Sequence, residues 1–413
     1  MKKTLSAFLC LPVFLVMVSP AVAQQPNYFK QFGSKVSVVA QRLGSTPKPM
    51  HLLTIDPKLG KLFCSIPEMG QVNYELSRLT EQKVQRFDYD WPKAARQALL
   101  LAADEQFEKI PDEIMAKEVR PVMYPLLHYL EVPNKHFNVH EQCLTFVKLL
   151  VAKKQYPEVL MVLGTINLNA LEKVGYREFS DVALDLVAKV ISINPAYVGP
   201  ALKLLAKVNV RPNNGNDHEA MSELGDTLRK LNQFSYAIQV YNRLGTIMAP
   251  LPPSPIKERT RLWPIYCYFK VYSAYSKKPD EASQKAATQY LNAARTYLAS
   301  IDKKPPLRSA NEFSLYKLLR AILYLQYARI QERRGASEAA ESYYNQSVIE
   351  VTEGIVSSRV GLDWLPEALL MAAHGYEKLE AADSAKNIYR QMKVFYKGTN
   401  WADIANKRLG SAP

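Results

Sequence analysis

Glycine is scarce in this chain, 16 among 413 residues. Phosphate cradles and nucleophile elbows need glycine where the backbone turns tightly, and no GxGxxG, P-loop or GxSxG motif is present. The 6 histidines and 4 cysteines contain no HExxH and no CxxC. Zinc-protease, zinc-ribbon and thiol–disulfide chemistry are therefore poorly supported. Beyond residue 23, no run approaches the roughly 20 apolar residues of a membrane-spanning helix. Acidic pairs do occur, at Asp104-Glu105, Asp112-Glu113 and Asp280-Glu281. They fall at expected helix starts, where the helix macrodipole accounts for negative charge without acid–base catalysis. The expectation is a non-enzymatic protein with no cofactor and no metal.

The N-terminus carries the one strong targeting signal. Lys2 and Lys3 precede an apolar run, Leu5 to Val18, which exits through Ser19-Pro20-Ala21-Val22-Ala23. A basic start, a short apolar core and an A-x-A exit form a secretory signal peptide. Cys10 lies inside the apolar run, so a lipoprotein acceptor is not indicated. Cleavage near Ala23 leaves a chain beginning at Gln24, periplasmic or secreted, with no transmembrane segment. The formal charge is +14. Its cations are scattered, in no run longer than Lys153-Lys154 or Arg333-Arg334, which favours plain solubility while allowing peripheral membrane contact. Cys64, Cys143 and Cys267 remain after cleavage. That is an odd, widely spaced set and no disulfide framework; one pair could bridge, or the thiols could sit buried in helix interfaces. His136 and His140 stand four apart beside Glu141 and Cys143. Pro133 and an expected N-cap at Asn138 place His136 ahead of the helix, so the two imidazoles are not set to share an ion.

From Gln24 to about Pro92 the texture is β-prone. Leu52–Ile55, Lys61–Ile66, Gln71–Leu76 and Lys83–Tyr89 are short or alternating runs, punctuated by Asp56-Pro57…Gly60 and Pro67…Gly70. A sheet here could cover the open end of a helical array. Helices take over at Lys93, with Pro121 and Pro125 expected to break or kink one of them and Pro157 in a first turn. Arg211–Asp217 reads as a polar loop, Met248–Pro255 (MAPLPPSP) as an extended spacer, and Asp302–Asn311 as a shorter interruption.

Within the helical part, positions recur at fixed internal offsets. They are Val147, Val159, Leu163, Ile166; then Gly225, Ala237, Tyr241, Leu244; then Ala274, Ala286, Tyr290, Ala293; then Ala328, Ala340, Tyr344, Ser347; and finally Ala373, Ala385, Tyr389, Met392. Ala188, Ala201 and Leu205 form a unit one residue out of register. Small residues that let helices approach, followed by an aromatic, suit a helix hairpin that stacks on copies of itself.

The pattern resembles the tetratricopeptide repeat over roughly Val139 to Arg408. Leu224-Gly225, Leu228, Ala237 and Tyr241 match its Leu-Gly, large, alanine and aromatic positions, and Gly335 matches its turn glycine. The steps between Gly225, Ala274, Ala328 and Ala373 all exceed the family's period of 34. Met221, Tyr324 and Leu369 replace its tryptophan. Trp401–Leu409 looks like the terminal helix of exported bacterial members. The resemblance implies an all-α, right-handed superhelical array of antiparallel hairpins behind a small β-containing segment. The expected division is 1–23 signal peptide, 24–92 β-containing segment, 93–247 first helical half, 248–262 spacer, and 263–413 second half with its capping helix.

The family register also implies the groove positions on the first helix of each hairpin: Asp226, Arg229, Tyr268, Tyr275, Arg329, Glu332, His374 and Glu377. Their mixed sign suits a protein partner better than a nucleic acid, and export points the same way. The expected function is an exported scaffold that binds an envelope protein or a cell-wall polymer. The alternative is a glycan-binding or glycan-active protein using the tyrosines between Tyr266 and Tyr275.

Overall fold

The computed structural model describes residues 27–56, 58–79, 81, 83–130, 137, 139–358 and 362–410. The signal peptide, His136 and Asn138 lie outside them. The chain divides into two compact units, Met1–Asn209 and Val210–Pro413.

The first unit begins with a short helix, α1 (Tyr28–Phe32), and a sheet of β1 (Val36–Arg42), β2 (Lys48–Asp56), β3 (Lys61–Ile66), β4 (Gly70–Glu75) and β5 (Val84–Tyr89). The order is β4-β3-β2-β1-β5, every neighbour antiparallel. Alternation buries Val36, Val38 and Ala40 of β1 and Leu62, Cys64 and Ile66 of β3 on one face. In β2 the buried set is Met50, Leu52 and Ile55, a change of phase explained by a bulge between Leu52 and Thr54. Rings close this core: Phe87 stacks on Phe137, and Tyr129 donates to the Ser34 carbonyl at 2.8 Å.

The helices of this unit are α2 (Lys93–Ala103), α3 (Asp112–Ile114), α4 (Arg120–Leu127), α5 (His140–Ala152), α6 (Tyr156–Thr165), α7 (Leu168–Lys173), α8 (Glu178–Ile193) and α9 (Val198–Leu205). A π-helical turn, Met115–Val119, joins α3 to α4. The expected break at the prolines is absent: Pro121 occupies the first turn of α4 and Pro125 lies inside it. Asp104-Glu105 ends α2, contrary to the expected helix start. Glu158, 2% exposed, accepts two bonds from Arg120 (2.9 and 2.8 Å) and one from the Tyr124 hydroxyl (2.9 Å). Every oxygen of this buried carboxylate is thereby satisfied, the condition under which a buried charge is tolerated. The Tyr124 ring in turn packs against Tyr28, Phe29 and Phe32, docking α1.

The second unit runs α10 (Gly215–Lys230), α11 (Phe234–Met248), α12 (Pro255–Tyr275), α13 (Glu281–Asp302), α14 (Asn311–Arg333), α15 (Ser337–Val356), α16 (Leu365–Lys378), α17 (Ala382–Phe395) and α18 (Asn400–Gly410). α10 pairs with α11, α12 with α13, α14 with α15, and α16 with α17, while α18 packs on α17. The boundary between the two units falls at 209/210, and α12 begins at Pro255 with Ser254 as its cap. Asp217, expected in a polar loop, is 2% exposed in α10 and binds the Arg211 guanidinium at 2.6 Å.

A common turn joins the hairpins. Lys154, Asn232, Gly335 and Glu380 all adopt positive φ (57°, 59°, 75° and 59°) at the same offset after Val147, Gly225, Ala328 and Ala373. The next amide then bonds back to the helix: Gln155 to Leu150, Gln233 to Leu228, Ala336 to Gln331 and Ala381 to Tyr376. That is the Schellman closure, in which a left-handed residue satisfies the orphan carbonyls of the helix end. After it come the buried Val159, Ala237, Ala340 and Ala385. The α12–α13 hairpin lacks this turn, and there the expected register is wrong. Ala274 is exposed and Ala286, Tyr290 and Ala293 are half-buried, while Ala287, Ala294 and Leu298 are buried.

A methyl placed at Gly225 would lie 2.5 Å from the Tyr241 ring, whereas one at Gly245 meets only ordinary contacts. Gly225→Ala should therefore cost about 1–3 kcal/mol, and Gly245→Ala should be neutral or slightly stabilising. Glu380→Gly relieves a left-handed backbone and should add about 1 kcal/mol. Urea unfolding followed by circular dichroism reads all three.

Candidate functional site

The first helices of three successive hairpins, α12, α14 and α16, line a groove of about 320 Å³ in the second unit. α12 contributes Phe269, Lys270 and Ser273; α14 contributes Ile322, Leu325, Gln326 and Arg329; α16 contributes Glu367, Leu370, Met371 and His374. Tyr389 of α17 and Ile404 and Arg408 of α18 complete the wall. The helices are brought together by residues of long sequence separation. Glu367 receives the Tyr266 hydroxyl at 2.5 Å and pairs with Lys270 at 2.6 Å, so α16 is tied to α12 across α14. Burial, with the Glu367 carboxylate beside it, pushes the Tyr266 phenol above its ordinary range.

At the α10 end of this face the chain covers itself. Trp364, leading into α16, packs edge-on to Trp263 at 5.6 Å and donates to Ser314 at 2.9 Å. The Arg229 guanidinium lies 3.8 Å over the Trp263 ring and 3.9 Å from Asp363. Asp226 accepts from Tyr241 at 2.7 Å and faces Arg229 at 3.4 Å. Of the expected groove residues, Asp226 and Arg229 therefore belong to an internal cluster. Tyr268 and Tyr275 turn toward α13, where Tyr268 stacks on Tyr297 and Tyr275 on Tyr290, at 5.7 and 5.9 Å. The register error in α12 accounts for this displacement. It also hid Phe269, Lys270 and Ser273, which lie on the opposite side of that helix.

Arg329 and His374 do line the groove. Glu377 stands at its edge, while Glu332 lies outside its lining, and the oxygens of both are engaged. Glu332 accepts from Tyr344 (2.9 Å) and pairs with Lys378 (2.7 Å), and the Lys378 bond holds it below the usual carboxylate range. Glu377 accepts from Tyr389 (2.9 Å) and approaches His374 (3.4 Å) and Arg408 (3.8 Å). Burial pushes the His374 pKa below 6.5, and the Arg329 charge lowers it further, against the opposing pull of Glu377. Arg329 itself, half-buried, forms no ion pair among the described residues. The groove thus combines an apolar wall with the cations Lys270, Arg329 and Arg408, and Arg329 acts on Glu332 through its charge without an ion-pair contact. A glycan-cleaving groove would need two carboxylates roughly 5–9 Å apart; Glu367 is the one carboxylate of this lining, Tyr389 its one tyrosine.

No described helix is long and apolar enough to cross a membrane. Cys64, Cys143 and Cys267 are free thiols, all buried. His140, expected beside His136, heads α5 after Val139, which offers no side-chain cap. It is 4% exposed, with its ring stacked 3.6 Å from that of Tyr176.

The described residues define a class: consecutive helix hairpins, four of them closed by a common left-handed turn, together with an N-terminal five-stranded antiparallel sheet. No family model matches the chain, and no curated protein matches it. Among solved structures it is similar to a crystal structure of PilW, described as a widely conserved type IV pilus biogenesis factor. That match covers 65% of this chain and 99% of PilW at 13% identity, with a TM-score of 0.28. At that score the likeness carries no argument about function.

Burial pushes the His140 pKa down to about 4. The unfolded chain, with the ordinary value of about 6.5, takes up the proton first. Stability contributed by neutral His140 is therefore full above pH 6.5 and is lost as pH falls toward 4, by at most ~1.4 kcal/mol per pH unit. Urea midpoints at pH 7 and 5 should differ more for the native protein than for His140→Phe. Equal differences would remove His140 as the cause.

Proposed function

We propose that this protein is an exported, non-enzymatic scaffold whose first-helix groove binds a segment of another envelope protein. The single observation behind this reading is the groove of α12, α14 and α16, in which Phe269, Ile322, Leu325, Leu370 and Met371 surround the unpaired Arg329. Apolar anchors ringed by a few charges are what protein recognition uses, since buried apolar area supplies affinity and charges supply orientation. The hairpins would continue as a right-handed superhelix, with the partner on the concave side. The signal peptide, cleaved near Ala23, would place the chain in the periplasm or outside the cell.

Two measurements test the proposal. Mass spectrometry of the protein from its envelope fraction should show a mature N-terminus at Gln24; a retained Met1 would refute export by this route. Affinity purification of the tagged mature protein should recover a reproducible partner, lost with Leu370→Glu, which places a charge in the half-buried groove wall. A partner retained by Leu370→Glu would exclude the groove. A purified chain that turns over a substrate and recovers no partner would exclude the scaffold reading altogether.

A further inference from the structure

We propose that the groove is a binding site for a carboxylate carried on a short apolar group, with Arg329 as the residue that holds the anion. The inference rests on the groove described above and deepens the scaffold reading by naming the chemistry a partner would present there.

The charge argument comes first. The acids near Arg329 are bonded to other groups of the chain, Glu367 to Tyr266 and Lys270, Glu332 to Tyr344 and Lys378, Glu377 to Tyr389, and Glu332 feels the Arg329 charge without contacting it. No carboxylate of the described residues pairs with the guanidinium. A half-buried cation in apolar surroundings has lost part of its hydration, and an incoming anion restores what was lost. Guanidinium presents two parallel N–H groups, which match the two oxygens of a carboxylate. Gln326 lies one turn back on α14, on the same wall, and brings a neutral amide donor beside the guanidinium.

Shape and polarity narrow the class. A volume of about 320 Å³ lies at the small end of the roughly 300–1,000 Å³ of ligand sites. That suits a group the size of one or two side chains. Phe269, Ile322, Leu325, Leu370 and Met371 offer it hydrocarbon. A cation would meet Arg329, Lys270 and Arg408, and a sugar would leave hydroxyls unpaired against these walls. The carboxylate could come from a free aliphatic acid or from the C-terminus of a peptide; the site recognises what the two share.

Octanoate, octylamine and the dipeptide acetyl-Leu-Leu, as free acid and as amide, are titrated into the full mature protein by calorimetry. Octanoate should saturate, octylamine should bind at least tenfold more weakly, and Arg329→Met should weaken octanoate at least tenfold. Arg329→Lys should retain part of the binding, and Lys58→Met, on an exposed turn of the other unit, should change nothing. Acetyl-Leu-Leu acid binding at least tenfold tighter than its amide and than octanoate identifies a peptide terminus as the source; the reverse order with octanoate identifies a free acid. Urea midpoints confirm that each variant is folded. The proposal is overturned by equal binding of octylamine, by undiminished binding to folded Arg329→Met, or by no saturation at roughly 10 mM. Because the probes need no protein partner, failure of the scaffold reading would leave this result standing, and the converse also holds.

Discussion

Three of the second unit's hairpins rest on one repeated contact, a buried tyrosine whose hydroxyl is tied to a carboxylate of the preceding helix. Tyr241 lies so close to Gly225 that no side-chain carbon fits between them, and its hydroxyl reaches Asp226. Tyr344 reaches Glu332, and Tyr389 reaches Glu377 from the core cluster it shares with Ala373. A buried phenol needs an acceptor, and a carboxylate on the partner helix both satisfies it and fixes the hairpin's rotation. The arrangement consumes the acids that would otherwise face outward. Arg329, on the same helix as Glu332, acts on that carboxylate through its charge but makes no ion-pair contact among the described residues.

Glu367 acts at longer range. Its two oxygens take the Tyr266 hydroxyl and the Lys270 ammonium, joining helices that a purely local stack would keep apart. Removing one partner of so enclosed a pair costs more than the pair contributes, because the other charge stays behind. Together with the Trp263–Trp364 packing, this tie closes the α10 end of the face and leaves the α12–α14–α16 end open.

Much of this was legible before the structure. Strands β2 to β5 followed from alternation, and four hairpins followed from the recurrence of small and aromatic residues. β1 was missed although Val36, Val38 and Ala40 alternate as the others do. The α12–α13 hairpin was misread for a physical reason. α12 buries Leu262, Trp263, Ile265, Tyr266, Cys267 and Phe269 nearly all round its axis, so no stripe marks which side faces which neighbour. Without a left-handed turn after it, nothing else in the sequence fixes the register of Tyr268 and Tyr275, which stack on rings of α13.

The sequence by itself determined the hairpins, their turns and the buried small–aromatic pairs, because those are set by residues close in the chain whose spacing matches helical geometry. Only the tertiary structure decided which charges are spent. Glu367 meets Lys270, Asp363 meets Arg229 and Glu332 meets Lys378 across long separations, and no local pattern records such pairings. The groove around Arg329 exists as the remainder after those pairings are made, which is why its chemistry became readable only once the helices were in place.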